Sequence, residues 1–359
     1  MKAAMLETVP GELVIDDVQF ANPGPREVLV RTVAAGLCHS DLHFMEGLYP
    51  SAVPTVLGHE SAGVVEAVGN EVRYVAPGDH VITCVSGFCG ACSYCLSGRP
   101  NLCTKQAILP DPTTPRITRR GERVFQFMDL SSFAEQLLVH ENYLVKVRPE
   151  MPLDKAALLG CGVTTGVGAV INTAKVRPGE TVAVIGCGGI GLNAIQAAAI
   201  VGAARVIAVD RLASKLDLAR TFGATDVVNA SEGDAVLAVH ELSGGGVDHA
   251  FEAIGLSATA QQAFAMLRNG GTATVIGMVP LGQKVEIDGF QFLMEKRIQG
   301  SNMGSNRFRV DMPLYVDWYL DGKLKLDELV SAVMPLERIN EGFAALKGGE
   351  VARQLILFD

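Results

Sequence analysis

The stretch TVAVIGCGGIGLNAIQAAAIVGAARVIAVD, residues 181–210, decides the fold of the half of the chain around it. Thr181–Ile185 is a short β-branched apolar run of buried-strand type. Gly186-Cys187-Gly188-Gly189-Ile190-Gly191 then reads G-x-G-x-x-G, an Ala/Ile-rich segment of helical length follows, and a second apolar run ends on Asp210. In such a unit the first glycine makes the tight turn and the second lets a pyrophosphate approach the backbone. The third lets helix and strand pack closely, and the helix N-terminus offers free N–H groups to phosphate. An acid at the end of the second strand binds the ribose hydroxyls and repels a 2′-phosphate, which favours NAD. The competing reading is a glycine-rich turn in an ordinary βαβ unit; the acid at the expected distance argues against it.

Working outward, strand and helix patterns continue to alternate: helix at Ser214–Phe222, strand at Asp226–Val228, helix at Asp234–Leu242, strand at Val247–Glu252, helix at Ser257–Leu267 and strand at Thr272–Ile276. This predicts a doubly wound parallel sheet. Upstream, Asp154–Ile171 reads as one helix. Before about residue 160 the style differs, with short β-type runs (Val28–Val33, Ser61–Val68, His80–Cys84, Phe133–Val139, Leu144–Val147) separated by Gly/Pro turns, as in a mostly antiparallel β domain. After about Gly300 come two helical patterns, Asp311–Leu320 and Glu337–Leu346, and a final strand, Gln354–Phe358. The fold class is therefore α/β, with a mostly-β domain joined to a parallel-sheet domain.

At 359 residues, 48% hydrophobic and 19% charged, the chain is globular and long enough for two cores. A net charge of −9 argues against a general binder of nucleic acid or anionic membranes. Neither a signal-type N-terminal run nor an apolar stretch of spanning length is visible, which leads us to expect a cytoplasmic protein. Eight cysteines in that setting read as metal ligands or free thiols.

Four of these, Cys89, Cys92, Cys95 and Cys103, fall within fifteen residues. Thiolates so closely spaced can wrap one tetrahedral ion, and an all-cysteine set is a closed structural zinc site. An iron–sulfur run opens with the same C-x2-C-x2-C but continues x3-Cys-Pro, whereas here seven residues intervene and Thr104 follows Cys103. Cys38, His59 and Cys161 are dispersed. Spacing cannot join them, and each has a bland reading as a buried packing residue.

The motifs VLVRTVAAGLCHSD, GHESAGVVEAVG, the four-cysteine lobe, GCGVTTGVGAV, GCGGIGL and the terminal RQLILF follow one another in an order that resembles the zinc-dependent medium-chain alcohol dehydrogenases, in their class I/III-like branch, over essentially the whole chain. The resemblance implies a GroES-like zinc-binding catalytic domain at residues 1–160, completed by 301–359, around a Rossmann domain at 161–300. It implies two zinc ions per chain and NAD. Cys38, His59 and Cys161 would hold the catalytic zinc, an arrangement already established for alcohol dehydrogenases, with Glu60 and Asp41 behind the ligands. Ser40 and His43 match a proton relay. His39, which stands where many relatives carry arginine, and Arg353 match pyrophosphate contacts. Thr165 and Ile190 match residues that pack on the nicotinamide, Ile276 another coenzyme neighbour, and Lys215, beside Asp210 and Arg211, one near the adenine ribose. Tyr49, Val85, Met278 and Met303 match pocket walls and make an apolar lining.

These correspondences imply oxidation of apolar or aromatic alcohols, primary and by extension secondary, to aldehydes or ketones. Rival readings are a glutathione-type formaldehyde dehydrogenase, which carries an acid where Tyr49 stands, a polyol dehydrogenase, and a non-catalytic binding protein on the same scaffold. The segment Thr104–Phe127 resembles the longer loop of dimeric relatives, so a homodimer paired near Ser301–Gly304 is expected, with a tetramer as the alternative.

Overall fold

The computed structural model describes residues 1–349 and 351–358, and its chain divides into two compact units, Met1–Cys161 with Arg307–Asp359 and Gly162–Asn306. In the second unit Thr181–Ile185 is the organising strand. It pairs in parallel with Arg205–Asp210 on one side and Val247–Glu252 on the other. Asp226–Asn229 adds beyond the former, and Leu267–Val275 and Arg297–Gly300 beyond the latter. All six strands run parallel, and the winding reverses at the first strand, which leaves a crevice beyond its C-terminal end. The central strands are buried along nearly their whole length because helices cover both faces. Ala183, Ile207, Val239, Ala250 and Phe264 are among the residues that fill that core.

The helices end where their residues dictate. Asp234 caps Ala235–Ser243 by accepting the N–H groups of Val236 and Leu237, and Gly244 closes it at φ +72°. The single helix expected over Asp154–Ile171 is instead broken. Leu153–Ala157 is α-helical, Leu158–Gly160 a 3-10 turn, Cys161 non-helical at φ −139°, ψ −76°, and Gly162–Gly168 α-helical again before a π-helix at Ala169–Ala174. Glycines on both sides of Cys161 make the break inexpensive. The division into units also follows it, so Cys161 belongs to the first unit rather than to the dinucleotide unit.

The first unit is built on Glu27–Gly36. This long strand pairs antiparallel with Ser61–Val68, Gln136–His140 and the C-terminal Arg353–Leu357. The C-terminal strand thus completes the sheet built on Glu27–Gly36, and Val330–Pro335 pairs beyond it. Sequence reading missed the N-terminal hairpin Lys2–Leu6/Leu13–Asp17. Within Thr104–Phe127, expected as a loop, Ile117–Arg119 and Glu122–Gln126 pair as a hairpin. No single helix among the described residues is long and apolar enough to cross a membrane.

Candidate metal centres and dinucleotide turn

Cys38 ends the turn after Glu27–Gly36 in an extended conformation and stands at the N-cap of the short helix His39–Met45. That helix carries Asp41 inward, buried, while His39 is exposed at its start. His59 follows Gly58, whose φ of +92° turns the chain so that its own N–H donates to Asp41 Oδ1 at 3.1 Å. Asp41 Oδ1 also lies 3.1 Å from His59 Nδ1, and His59 Nε2 lies 3.3 Å from Cys161 Sγ. The donor atoms of Cys38, His59 and Cys161 all lie within 4.8 Å of one another, and all three residues are buried. Ligand bonds near 2.0 Å to nitrogen and 2.3 Å to sulfur put tetrahedral N and S donors about 3.6 Å apart, so the set fits one zinc ion with a fourth position left over.

The charges around this centre compensate one another. Burial alone would push His59 down, but Asp41 and Cys38 outweigh it and hold the imidazole well above its usual range. The hydrogen bond with Cys161 holds Cys38 well below the ordinary thiol range against its burial, helped by His59 and Arg353, and the same bond with burial pushes Cys161 well up. The opposite directions favour a thiolate at Cys38 beside a thiol at Cys161, and a dication held by both sulfurs would displace that remaining proton. With Asp41 accepting from Nδ1, it is the Nε2 proton that a metal would displace, which leaves that lone pair as the ligand. Behind the sulfurs, Glu60 and Arg353 are both buried and lie 3.8 Å apart, and Arg353 Nη1 donates to Leu37 O at 3.4 Å. A Cβ at position 36 would sit 2.3 Å from Glu60 Oε1, so glycine there makes room for the carboxylate. Arg353, for which the resemblance implies a pyrophosphate contact, here reaches Glu60, Leu37 and the Cys38 sulfur.

Ser40 Oγ lies 3.7 Å from Cys38 Sγ. On the same helix face His43 has a buried Nδ1 that meets no hydrogen-bond partner among the described residues. From His59 a series of rings leads away: Phe127 at 6.2 Å, Phe44 a further 4.8 Å on, then Tyr49 at 5.6 Å, with His43 6.1 Å from Tyr49. Phe127 has no sequence signal; it precedes Met128 and Asp129, two residues in left-handed conformation that turn it inward.

Cys89, Cys92, Cys95 and Cys103 also converge to within 4.8 Å. Their sulfurs are 3.5 Å (Cys92–Cys95), 3.7 Å (Cys92–Cys103) and 4.0 Å (Cys89–Cys95) apart. Tetrahedral zinc–thiolate geometry requires about 3.8 Å, and all eight cysteines are free of disulfides. Main-chain N–H groups of Ala91 and Cys92 donate to Cys89 Sγ, and those of Cys89 and Lys105 to Cys103 Sγ. Lys105 Nζ then donates to the carbonyl of Val85.

In the second unit Gly186 has φ +94°, and a Cβ at Gly191 would fall 1.7 Å from Gly186 O, so turn and helix can approach only as glycines. A Cβ at Gly188 would meet nothing within 4 Å, and the helix Gly189–Ile200 begins without a side-chain cap. Room and uncapped N–H groups together fit a pyrophosphate. Asp210 accepts from Cys187 N through Oδ2 and from Arg211 N and Leu212 N through Oδ1, so its carboxylate is fixed at the strand end. Ile190 and Lys215 are half-buried on the two following helices, Arg211 is exposed, Ile276 is buried with its N–H on Glu252 O, and Met278 is exposed. Thr165 Oγ1 donates to Met303 Sδ at 3.4 Å. Two cavities of about 410 and 370 Å³ around Lys296 include none of the predicted site residues.

Comparison with known proteins matches residues 24–150 to the alcohol dehydrogenase GroES-like domain and residues 189–319 to the zinc-binding dehydrogenase domain. An S-(hydroxymethyl)glutathione dehydrogenase of Haemophilus influenzae is 40% identical over 97% of this chain and 94% of its own. A class-3 alcohol dehydrogenase of Cereibacter sphaeroides is 38% identical over 99% of both. Among solved structures, benzyl alcohol dehydrogenase of Acinetobacter calcoaceticus superposes with a TM-score of 0.95 at 34% identity, covering 100% of this chain and 99% of the other. A zinc-binding dehydrogenase of Sinorhizobium meliloti bound to NADP gives 0.83 at 30% identity, covering 99% of each.

Proposed function

This chain belongs to the zinc-dependent medium-chain alcohol dehydrogenase family, and on that premise we propose that it interconverts apolar or aromatic alcohols and their aldehydes or ketones, with Cys38, His59 and Cys161 holding the working zinc and Cys89, Cys92, Cys95 and Cys103 a structural one. The observation that carries this reading is the buried Cys38/His59/Cys161 set with the Ser40 hydroxyl beside it. When bound, zinc supplies Lewis acidity to the substrate oxygen and the nicotinamide coenzyme accepts the hydride. The chain's own residues do the rest. Asp41 fixes the tautomer and plane of His59. Ser40 Oγ receives the proton of the alcohol, and His43, three residues along the same helix, passes it outward. The Phe127, Phe44 and Tyr49 rings present an apolar wall and exclude water.

Asp210, with its carboxylate pinned by three N–H groups, favours NAD, because a 2′-phosphate would meet a like charge. A ratio of kcat/KM of about tenfold or more for NAD over NADP is expected. We further take the protein to be a cytoplasmic homodimer paired through the sheet edge near Ser301–Gly304, which follows the edge strand Arg297–Gly300. Light scattering reads the assembly directly.

A second reading, oxidation of S-(hydroxymethyl)glutathione, is favoured by the names of the curated relatives. Against it stands Tyr49, an uncharged ring where the carboxylates of a thiol adduct require charged partners. Purified protein with NAD, offered benzyl alcohol, a primary aliphatic alcohol and formaldehyde with glutathione, separates the two. The first reading fails if the glutathione adduct is turned over best.

A further inference from the structure

Two uncommon backbone conformations face one another in the second unit. Ala169–Ala174 is wound as a π-helix, and Met303, Gly304 and Ser305 have successive left-handed φ values of +50°, +66° and +48°. Glycine adopts that region freely, whereas methionine and serine are strained in it. Both features gather at functional sites, where surrounding contacts hold what the backbone alone would not adopt.

Those contacts are specific. Thr173 Oγ1, on the π-helix, lies 2.8 Å from Ser301 Oγ and 2.8 Å from Ser305 Oγ. Asn172 Nδ2 donates to Gly304 O at 3.3 Å, and Asn306 Nδ2 to Met303 O at 2.7 Å. The preceding helix approaches the turn backbone directly, since a Cβ on Gly168 would lie 2.4 Å from Gly304 O. The turn so held carries Met303, whose sulfur accepts from Thr165 Oγ1. One hydroxyl therefore ties the last residue of the left-handed turn, Ser305, to Ser301, which precedes it.

We propose that Thr173 is a positioning residue: its bridge to Ser301 and Ser305 holds the strained turn 303–305 and thereby sets Met303 and Thr165 against the nicotinamide and the substrate. This rests on the reading above that Met303 lines the pocket and Thr165 packs on the nicotinamide. Without the bridge the strain is released, the turn relaxes, and coenzyme and substrate must first rebuild it. Binding then weakens more than the chemical step does.

The position of Ser305 provides the test, because the two small substitutions differ only in strain. Ser305→Ala removes the arm of the bridge that reaches the strained turn and keeps the strain; Ser305→Gly removes both. NADH dissociation constants by calorimetry, KM and kcat for benzyl alcohol, and melting temperatures are measured on the zinc-loaded protein. Ser305→Ala and Thr173→Val should raise the NADH Kd and the alcohol KM about fivefold or more, with kcat changed less, and Thr173→Ser should stay within about twofold of wild type. Ser305→Gly should also stay within about twofold, and should melt above Ser305→Ala. Equal behaviour of Ser305→Ala and Ser305→Gly, or Thr173→Val indistinguishable from wild type, overturns the proposal. If wild-type protein binds no NADH, the functional reading falls, and the order of the two Ser305 melting temperatures alone decides whether the hydroxyl bridge holds strain.

Discussion

Around Cys89, Cys92, Cys95 and Cys103 the sulfurs are served by main-chain N–H groups of the same short segment. Around Cys38, His59 and Cys161 the service comes from side chains: Asp41 on the ring, Ser40 beside the sulfur, and Glu60 with Arg353 behind. The first centre is half-exposed at three of its four ligands; the second is buried at all three. A centre that only ties a loop needs geometry, which local backbone supplies. One that must bind and polarise a substrate needs its charges tuned in a dry place, and only side chains brought from several elements do that.

The strongest way to break this contrast is to remove one ligand from each centre. Cys38→Ser should lose one of two zinc ions and several orders of magnitude in turnover while the protein stays folded and binds NADH. Cys92→Ser should also lose one zinc, but its cost is in stability, because a structural metal contributes folding energy. A drop in melting temperature on the order of 10 °C corresponds to a loss of several kcal/mol in a unit of this size. Zinc analysis, kinetics and thermal denaturation on both variants suffice. If Cys92→Ser melts like wild type, or Cys38→Ser turns over normally, the division of labour is wrong.

A smaller effect sharpens it. Asp41→Asn keeps the shape and removes the charge that faces His59 Nδ1. Loss of such a partner weakens metal affinity or activity by about 10- to 100-fold. Zinc competition against a chelator should show this at one site only, since among the described residues no carboxylate is hydrogen-bonded to a ligand of the four-cysteine lobe. Loss from both sites at once would mean that Asp41 supports the fold of the whole unit.

The contrast also governs what could be read from the sequence. Where support is local, spacing suffices: the four-cysteine lobe and the Gly186–Gly191 turn with Asp210 were legible as residue patterns, and strands such as Ser61–Val68 and Val247–Glu252 from their periodicity. Where support is long-range, it did not. Nothing in spacing joins Cys38 to Cys161, and that set came only from resemblance. The contacts of Arg353 to Glu60 and Leu37 depend on the last strand pairing with Glu27–Gly36, which no local pattern records. The helix expected across Cys161 breaks there because the segment turns its sulfur to His59, a tertiary demand that helical periodicity does not record. Phe127 reached His59 through two left-handed residues, for which no turn signal was present.

The smallest effect tests whether the lobe is preorganised without its metal. The N–H groups of Ala91 and Cys92 push the Cys89 thiol down to about 6, while burial raises Cys95 to about 12 despite an N–H from Gly90. A thiol whose folded pKa lies below its unfolded value favours the fold when ionised. That contribution is complete above the unfolded value of about 8.5 and is lost as the pH falls through 6. Cys95 has the opposite sign: its raised value favours the fold at neutral pH and loses that contribution as the pH rises toward 12. In zinc-stripped protein, alkylation of Cys89 should therefore have reached its plateau by pH 7.5, because the thiolate is the nucleophile, whereas that of Cys95 should still be climbing at pH 9. Peptide mass mapping after short pulses of iodoacetamide across this range reads both sites in one sample. Should both cysteines instead titrate together near 8.5, the N–H groups reach the sulfurs only once metal has gathered them, and the lobe is shaped by its ion rather than by its backbone.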